Sequence, residues 1–401
     1  MNKGLTVVAN GSVTSPAGFQ AGAVSAGIKT MPGALDLALL ISVQTANAAA
    51  VFTRNRFRAA PVVLSENNLN RGKTCGIIVN SGCANAGTGS SGYRNAVAMT
   101  QQVAEKLSVG KDDILIASTG VIGVQLPMTK IEAGINQIAL SWDSGHNFAR
   151  AIMTTDLAAK EVAVTVPEYG FTVGSCAKGS GMIHPDMATM LAFITTDAGV
   201  DGGLLRTALK KVVDKSFNLI SVDGDTSTND SVFLMANGAS GCEIKNSTAA
   251  YRAFIKALEY VCVYLAKAIV RDGEGATRLF EFEVCGAAST ADARKIIRTV
   301  LSSPLVKTAV HGADPNWGRI MAAVGRSGVR FDAQLVKLWI GDVEVLKHGA
   351  PQSFDTERAS AQMQGDDVFI RLDMGLGKAM LTGWGCDMSA EYIRINADYT
   401  T

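Results

Sequence analysis

The stretch KGSGMIHPDMATMLAFITTDA, residues 178–198, runs from a glycine-rich loop through His-Pro-Asp into an apolar segment. A short continuous apolar run behind turn residues has the signature of a buried strand. Thr189 stands at the join. It is β-branched and suits a strand, and composition alone makes it nothing more. Around this strand the chain alternates. AAAVFT (48–53) and CGIIVNSG (75–82) read as strands, SGCANAGTGSSG (81–92) as a loop, and YRNAVAMTQQVAEKL (93–107) as a helix. DILIAS (113–118) reads as a buried strand opening into a turn at Thr119-Gly120.

Downstream, LLRTALKKVVDK (204–215) places Leu205, Ala208, Leu209, Val212 and Val213 on one face, which predicts an amphipathic helix with a solvated basic side. YRAFIKALEYVCVYLAKAIV (251–270) predicts a longer, more apolar helix, and FEFEV (280–284) an antiparallel strand of period two. The C-terminal part reads as strands: LVKLWIGDVEVL, DVFIRLDMG and finally AEYIRINADYT (390–400). This order predicts the α/β class, with layered helices packed on central β-sheets. At 401 residues two lobes are expected.

Several function classes are excluded by composition. The net charge is +1, with 14 Lys+Arg against 11 Asp+Glu in residues 1–188, so no polybasic surface awaits nucleic acid or an anionic membrane. No segment reaches the ~18 apolar residues of a membrane span, and the N-terminus has no signal or transit pattern, so a cytoplasmic protein is expected. The seven cysteines are scattered without C-x-x-C, which fits reduced thiols. No metal is expected, because the four histidines lie far apart. GSCAKGSG (174–181) has its lysine on the wrong side of the second glycine for a phosphate loop, and DGDTSTND (223–230) lacks the glycine and glutamate of a calcium loop. HGADPNWGR (311–319) reads as a turn.

One nucleophile chemistry needs no histidine. A threonine whose own α-amino group is free has a base near neutral pKa, about 7.7–8.0, able to accept the hydroxyl proton. Thr189 meets this condition only if the Ala188–Thr189 bond is cut. The small alanine leaves room for the hydroxyl to attack the preceding carbonyl, and the upstream glycines make the approach pliable.

The region 178–198 closely resembles the self-cleavage region of the ornithine acetyltransferase family, the bifunctional glutamate N-acetyltransferase and amino-acid acetyltransferase enzymes of the arginine pathway. GFQAGAVSAGIK (18–29), IIVNSGCANAGTG (77–89), ASTGVIG (117–123), IMTTD (152–156), HGADPNWGRI (311–320) and INADYTT (395–401) extend the resemblance over the whole chain. The resemblance implies an N-terminal-nucleophile-like fold, with helices outside packed sheets and the Thr189 strand near the middle. It implies self-cleavage into an α chain, 1–188, and a β chain, 189–401, assembled as a heterotetramer of two of each. Thr189 then takes acetyl from N-acetylornithine and passes it to glutamate, with no cofactor; bifunctional members also use acetyl-CoA as a co-substrate. Thr119 and Gly120 match the oxyanion-hole pair. Thr155, with Thr154 as neighbour, Lys178, Thr189, Glu274, Asn396 and Thr401 match the substrate contacts. Two rivals stay open at this point: an N-terminal-threonine amidase or aminopeptidase using water, and a non-enzymatic member that folds uncleaved.

Overall fold

The computed structural model describes residues 4–184 and 190–398. Its spine is the 16-residue strand Leu37–Phe52. The first half of this strand pairs antiparallel with Phe19–Val24 and Lys73–Cys83. The register shifts between Ile41 and Ala46, and the second half then pairs antiparallel with Ser231–Ala236. These strands belong to a nine-stranded sheet whose path runs Thr6–Val7, Lys160–Val166, Phe171–Lys178, Leu191–Thr196, Ser231–Ala236, Leu37–Phe52, Lys73–Cys83, Ile114–Val121.

Leu191–Thr196, the strand expected after Thr189, lies in the interior of this sheet. It is antiparallel to Phe171–Lys178 and parallel to Ser231–Ala236. All six of its residues are buried. Alternate side chains enter different cores, as the pleat requires. Leu191 and Phe193 join one cluster, where Phe193 stacks on Phe233 at 5.5 Å and meets the edge of Phe148 at 5.0 Å. Ala192 and Ile194 join the other. A sheet covered on both faces explains why this strand reads as a continuous apolar run.

The second sheet has seven strands, ordered Ile220–Ser221, Ala379–Cys386, Leu279–Ala287, Asp367–Asp373, Lys337–Ile340, Val343–Lys347, Ala350–Pro351. The FEFEV segment pairs antiparallel with Ala379–Cys386, as its alternation predicts, and parallel with Asp367–Asp373. The helix Ala249–Arg271 touches strands of both sheets. The expected α/β class, with helices layered on β-sheets, is observed, and this helix lies between the two sheets. It has to, because the apolar side chains of both sheets and of Gly202–Val213 converge on it in one continuous core. The predicted lobes are two sheets sharing that core. Gly202–Val213 buries the five residues its spacing singled out.

Two local expectations change. The segment read as a loop over 81–92 is shorter, because the strand continues to Cys83 and the helix begins at Gly89. The terminal AEYIRINADYT is not a strand but the helix Ala390–Asp398. Its tyrosine and isoleucines suit a strand by propensity, yet no residue of it is buried, so a period-two apolar face has nothing to cover. Helical spacing instead allows the Glu391–Arg394 ion pair, at 2.6 Å, and puts Tyr392 and Asn396 on one face. HGADPNWGR turns between the helices Pro304–His311 and Trp317–Gly325, the second capped by the Asn316 side chain. Among the described residues no helix is long and apolar enough to cross a membrane.

Candidate active site

The strand Ile114–Val121 carries Thr119 and Gly120 at its end, beside the parallel strand Lys73–Cys83. Gly120 has φ +126°, and a Cβ there would run into the Gly82 and Cys83 backbone. Only glycine lets the two chains approach this closely. Asn229 ties the corner from below, its Nδ2 donating to the carbonyls of Ala84, at 2.6 Å, and Ser118, at 2.9 Å.

Lys178 ends the strand Phe171–Lys178, directly opposite Leu191. Its ammonium donates to Thr119 Oγ1 at 3.4 Å. Burial pushes the Lys178 pKa down, against the pull of the nearby Asp156 carboxylate. Asp156 accepts from the Thr154 and Gly179 N–H groups, at 2.9 and 2.7 Å, and from Lys160 Nζ at 2.7 Å. Burial alone would raise the Asp156 carboxyl, but Lys178, Lys160 and the Gly179 N–H hold it down to about 2.

The opposite wall is built on Glu274. Its Oε1 accepts from Thr155 Oγ1 at 2.7 Å, and its Oε2 from Asn396 Nδ2 at 3.0 Å. Thr155 Oγ1 also meets Ser180 Oγ at 2.6 Å, and the Glu274 N–H donates to the Ser180 carbonyl. The carboxylate lies against Gly181, where a Cβ would collide with it.

Thr119, Gly120, Thr154, Thr155, Lys178, Glu274 and Asn396 thus line one cavity of about 250 Å³. Thr189, Ala188 and Thr401 lie outside the described residues. Met190, bonded to Thr189 in the chain, is on the cavity wall. The cavity is small and polar, with the Lys178 ammonium on one side and the carboxylates of Glu274, Asp223 and Asp225 on its walls. Such a charge pattern suits a zwitterionic amino acid.

The ArgJ family model matches residues 20–401. The chain belongs to the ArgJ family. It is 53% identical to an arginine biosynthesis bifunctional protein ArgJ of Dehalococcoides mccartyi, over 100% of both chains. It is similar to a crystal structure of the Bacillus halodurans arginine biosynthesis bifunctional protein ArgJ, at 44% identity and TM-score 0.52, covering 53% of this chain and 100% of that one. It is also similar to a Mycobacterium tuberculosis ornithine acetyltransferase solved with ornithine, at 42% identity and TM-score 0.44, covering 46% of this chain and 100% of that one. As an ArgJ protein the chain is an acyltransferase of arginine biosynthesis.

The ArgJ cavity also contains residues that motif reading passed over. DGDTSTND, set aside as a failed calcium loop, contributes Asp223, Asp225, Ser227, Thr228, Asn229 and Asp230 to the wall. Asp223 accepts the N–H groups of Met182, at 2.5 Å, and Ile183, at 2.8 Å. Burial raises its pKa. Met182 has φ +56°, a strained value for a non-glycine residue, and these two bonds offset that cost. Val222 N–H donates to the Ile183 carbonyl and Thr226 Oγ1 to that of His184. The glycine-rich approach is therefore anchored, not pliable, up to the last described residue before Pro185. Tyr392 lines the cavity too, its pKa raised by burial and by Asp223 and Glu274. The signal for the 223–230 segment was its density of short polar side chains; for Tyr392 it was the i, i+4 spacing to Asn396. Among the described residues no group of three or more His, Cys, Asp or Glu is placed to hold a metal ion.

Proposed function

We propose that the chain cleaves itself between Ala188 and Thr189 and then transfers acetyl from N-acetylornithine to glutamate through an acetyl-threonine. The observation that carries this reading is the convergence of Thr119, Gly120, Thr155, Lys178, Glu274 and Asn396 on a cavity whose wall includes Met190. Residues 1–188 become the α chain and 189–401 the β chain. The wholly matched Bacillus halodurans chain accounts for 53% of this one, the same fraction that residues 189–401 make up, which supports a division at that point.

Thr189 Oγ attacks the acetyl carbonyl carbon while the Thr189 α-amino group takes the hydroxyl proton. Thr119 Oγ1 and the Gly120 N–H receive the negative charge that develops on the carbonyl oxygen; one such donor contributes about 2.7–4 kcal/mol. The C–N bond breaks, the proton passes to the leaving nitrogen, and ornithine departs. The α-amine of glutamate then attacks the threonine ester, N-acetylglutamate leaves, and Thr189 regains its proton. Lys178 holds a substrate carboxylate, and Glu274, oriented by Thr155 and Asn396, holds an ammonium or the reacting amine. By the family resemblance Thr401 also contacts substrate. Acetyl-CoA serves as a second acetyl donor, in keeping with the bifunctional name of the relatives. The chains assemble as a heterotetramer of two of each, in the cytoplasm.

Denaturing electrophoresis with intact-mass measurement tests the cleavage: two chains are expected from the wild type and a single 42.0 kDa chain from Thr189→Ala. Ornithine release from N-acetylornithine should require glutamate. Release at the same rate without glutamate would replace the transferase reading with an amidase that uses water.

A further inference from the structure

Three of the substrate-contact residues lie on separate chain segments. Thr155 is in the turn after the helix Gly145–Ala151, Lys178 ends a strand, and Glu274 follows the helix Ala249–Arg271. On the reading above, the first two belong to the α chain and the third to the β chain, so no peptide bond sets their relative position after cleavage. A buried ion cluster joins all three. Lys160 Nζ reaches Asp156 Oδ1 at 2.7 Å, Asp272 Oδ2 at 2.5 Å and the Ala158 carbonyl at 3.3 Å. Its side chain is 3% exposed, and those of Asp156 and Asp272 are 0% and 12% exposed. The three acceptors use all three ammonium protons. Asp156 grips the backbone on either side of the site, at Thr154 and Gly179. Asp272 accepts the Leu157 N–H and stands two residues before Glu274.

We infer that Asp156–Lys160–Asp272 is a positioning triad that holds Glu274 of one chain in register with Thr155 and Lys178 of the other. None of the three lines the cavity, so they act through the residues that do. Removing one partner from a buried ion cluster leaves the rest uncompensated, and the segments lose their common anchor. The inference rests on the proposed cleavage and transfer.

The triad also sets the field at Lys178, which gives a readout that damage to the fold does not mimic. The charged groups acting on Lys178 are Asp156, Lys160, Asp230 and Glu274, with Lys29 beyond them. Lys160 is a like charge and Asp156 an opposite one. If protonated Lys178 binds a substrate carboxylate, activity falls on the alkaline side as Lys178 loses its proton. Removing Lys160 stabilises the Lys178 cation and moves that limb to higher pH. Removing the Asp156 charge moves it to lower pH.

The test measures kcat and KM for glutamate-dependent ornithine release against pH in the processed wild type, Lys160→Met, Lys160→Arg, Asp156→Asn and Asp272→Asn. An inactive wild type would sink the transferase reading itself, separately from this inference. With an active wild type, Lys160→Met should raise KM at least tenfold, Lys160→Arg should restore most of it, and the alkaline limbs of Lys160→Met and Asp156→Asn should move in opposite directions. Asp272→Asn, at the more exposed end, should raise KM about fivefold and serves where the core variants do not fold. Wild-type KM in Asp272→Asn, or limbs that move together in the two core variants, would overturn the triad's role.

Discussion

The approach loop Gly179–His184 and the terminal helix Ala390–Asp398 border the same cavity, but they are held in different ways. The loop looks free, with two glycines within three residues, yet its backbone is bonded to Asp156, Asp223, Val222 and Thr226. The helix looks regular, yet it buries no residue, and Ile393 on it is 66% exposed. It meets the site through the Asn396–Glu274 hydrogen bond and the close seating of Gly275 against the Tyr392 backbone. Order in the loop comes from partners far along the chain. The helix has local order and a light attachment. One wall of the site is thus fixed, and the other is set by a few polar contacts.

The largest effect should come from unfastening the fixed wall. Asp223→Ala leaves the N–H groups of Met182 and Ile183 without their acceptor, which should cost about 2–4 kcal/mol. Urea denaturation should show it as a lowered midpoint, and the two processed chains should appear more slowly. A midpoint equal to the wild type would mean that the loop needs no anchor, and the contrast with the helix would collapse.

Acid should loosen the same wall at Asp156. Its folded pKa of about 2 lies below the ordinary value of 3.8, so its contribution is fully present above that ordinary value. It is lost as pH falls from about 4 toward 2, and amounts to roughly 2–3 kcal/mol. The stability difference between wild type and Asp156→Asn, measured by denaturation at each pH, should shrink over that window.

Gly181→Ala sharpens the comparison by separating position from stability. The atoms nearest the added methyl are the end of the Glu274 side chain, which can swing away. Stability should change by less than about 0.5 kcal/mol, while KM for the amino-acid substrates should rise about tenfold because Glu274 leaves its place. On the lightly held wall, Asn396→Ala removes one solvent-exposed hydrogen bond to Glu274, which orients that carboxylate and adds little to stability. A roughly fivefold loss in kcat/KM is expected, with an unchanged melting temperature. A lowered melting temperature would show that the helix is anchored more firmly than its exposure implies.

Much of this is legible in the chain itself. The buried strand after Thr189, the five-residue face of Gly202–Val213 and the antiparallel FEFEV strand follow from apolar periodicity, because burial imposes the period of the element on the side chains. The site residues Thr119, Gly120, Thr155, Lys178, Glu274 and Asn396 follow from the family resemblance, and the fold brings them to one cavity. Asp223 and Lys160 were not legible. Their importance lies in distant partners: the Met182 and Ile183 amides, 41 and 40 residues from Asp223, and the Asp272 carboxylate, 112 residues from Lys160.

The terminal helix shows the same limit from the other side. Tyr, Ile and Ile favour a strand when the local pattern is read alone, and only the absence of anything to bury against lets the helical spacing prevail. Sequence by itself determined the class of fold and the central strand, since these depend on hydrophobic patterning. Tertiary structure alone decided that a helix lies between the sheets, that the glycine loop is anchored and that Asp272 meets Lys160 from 112 residues away. Those features depend on charges and amides finding partners across the fold, and burial makes such pairings obligatory without writing them into any local stretch.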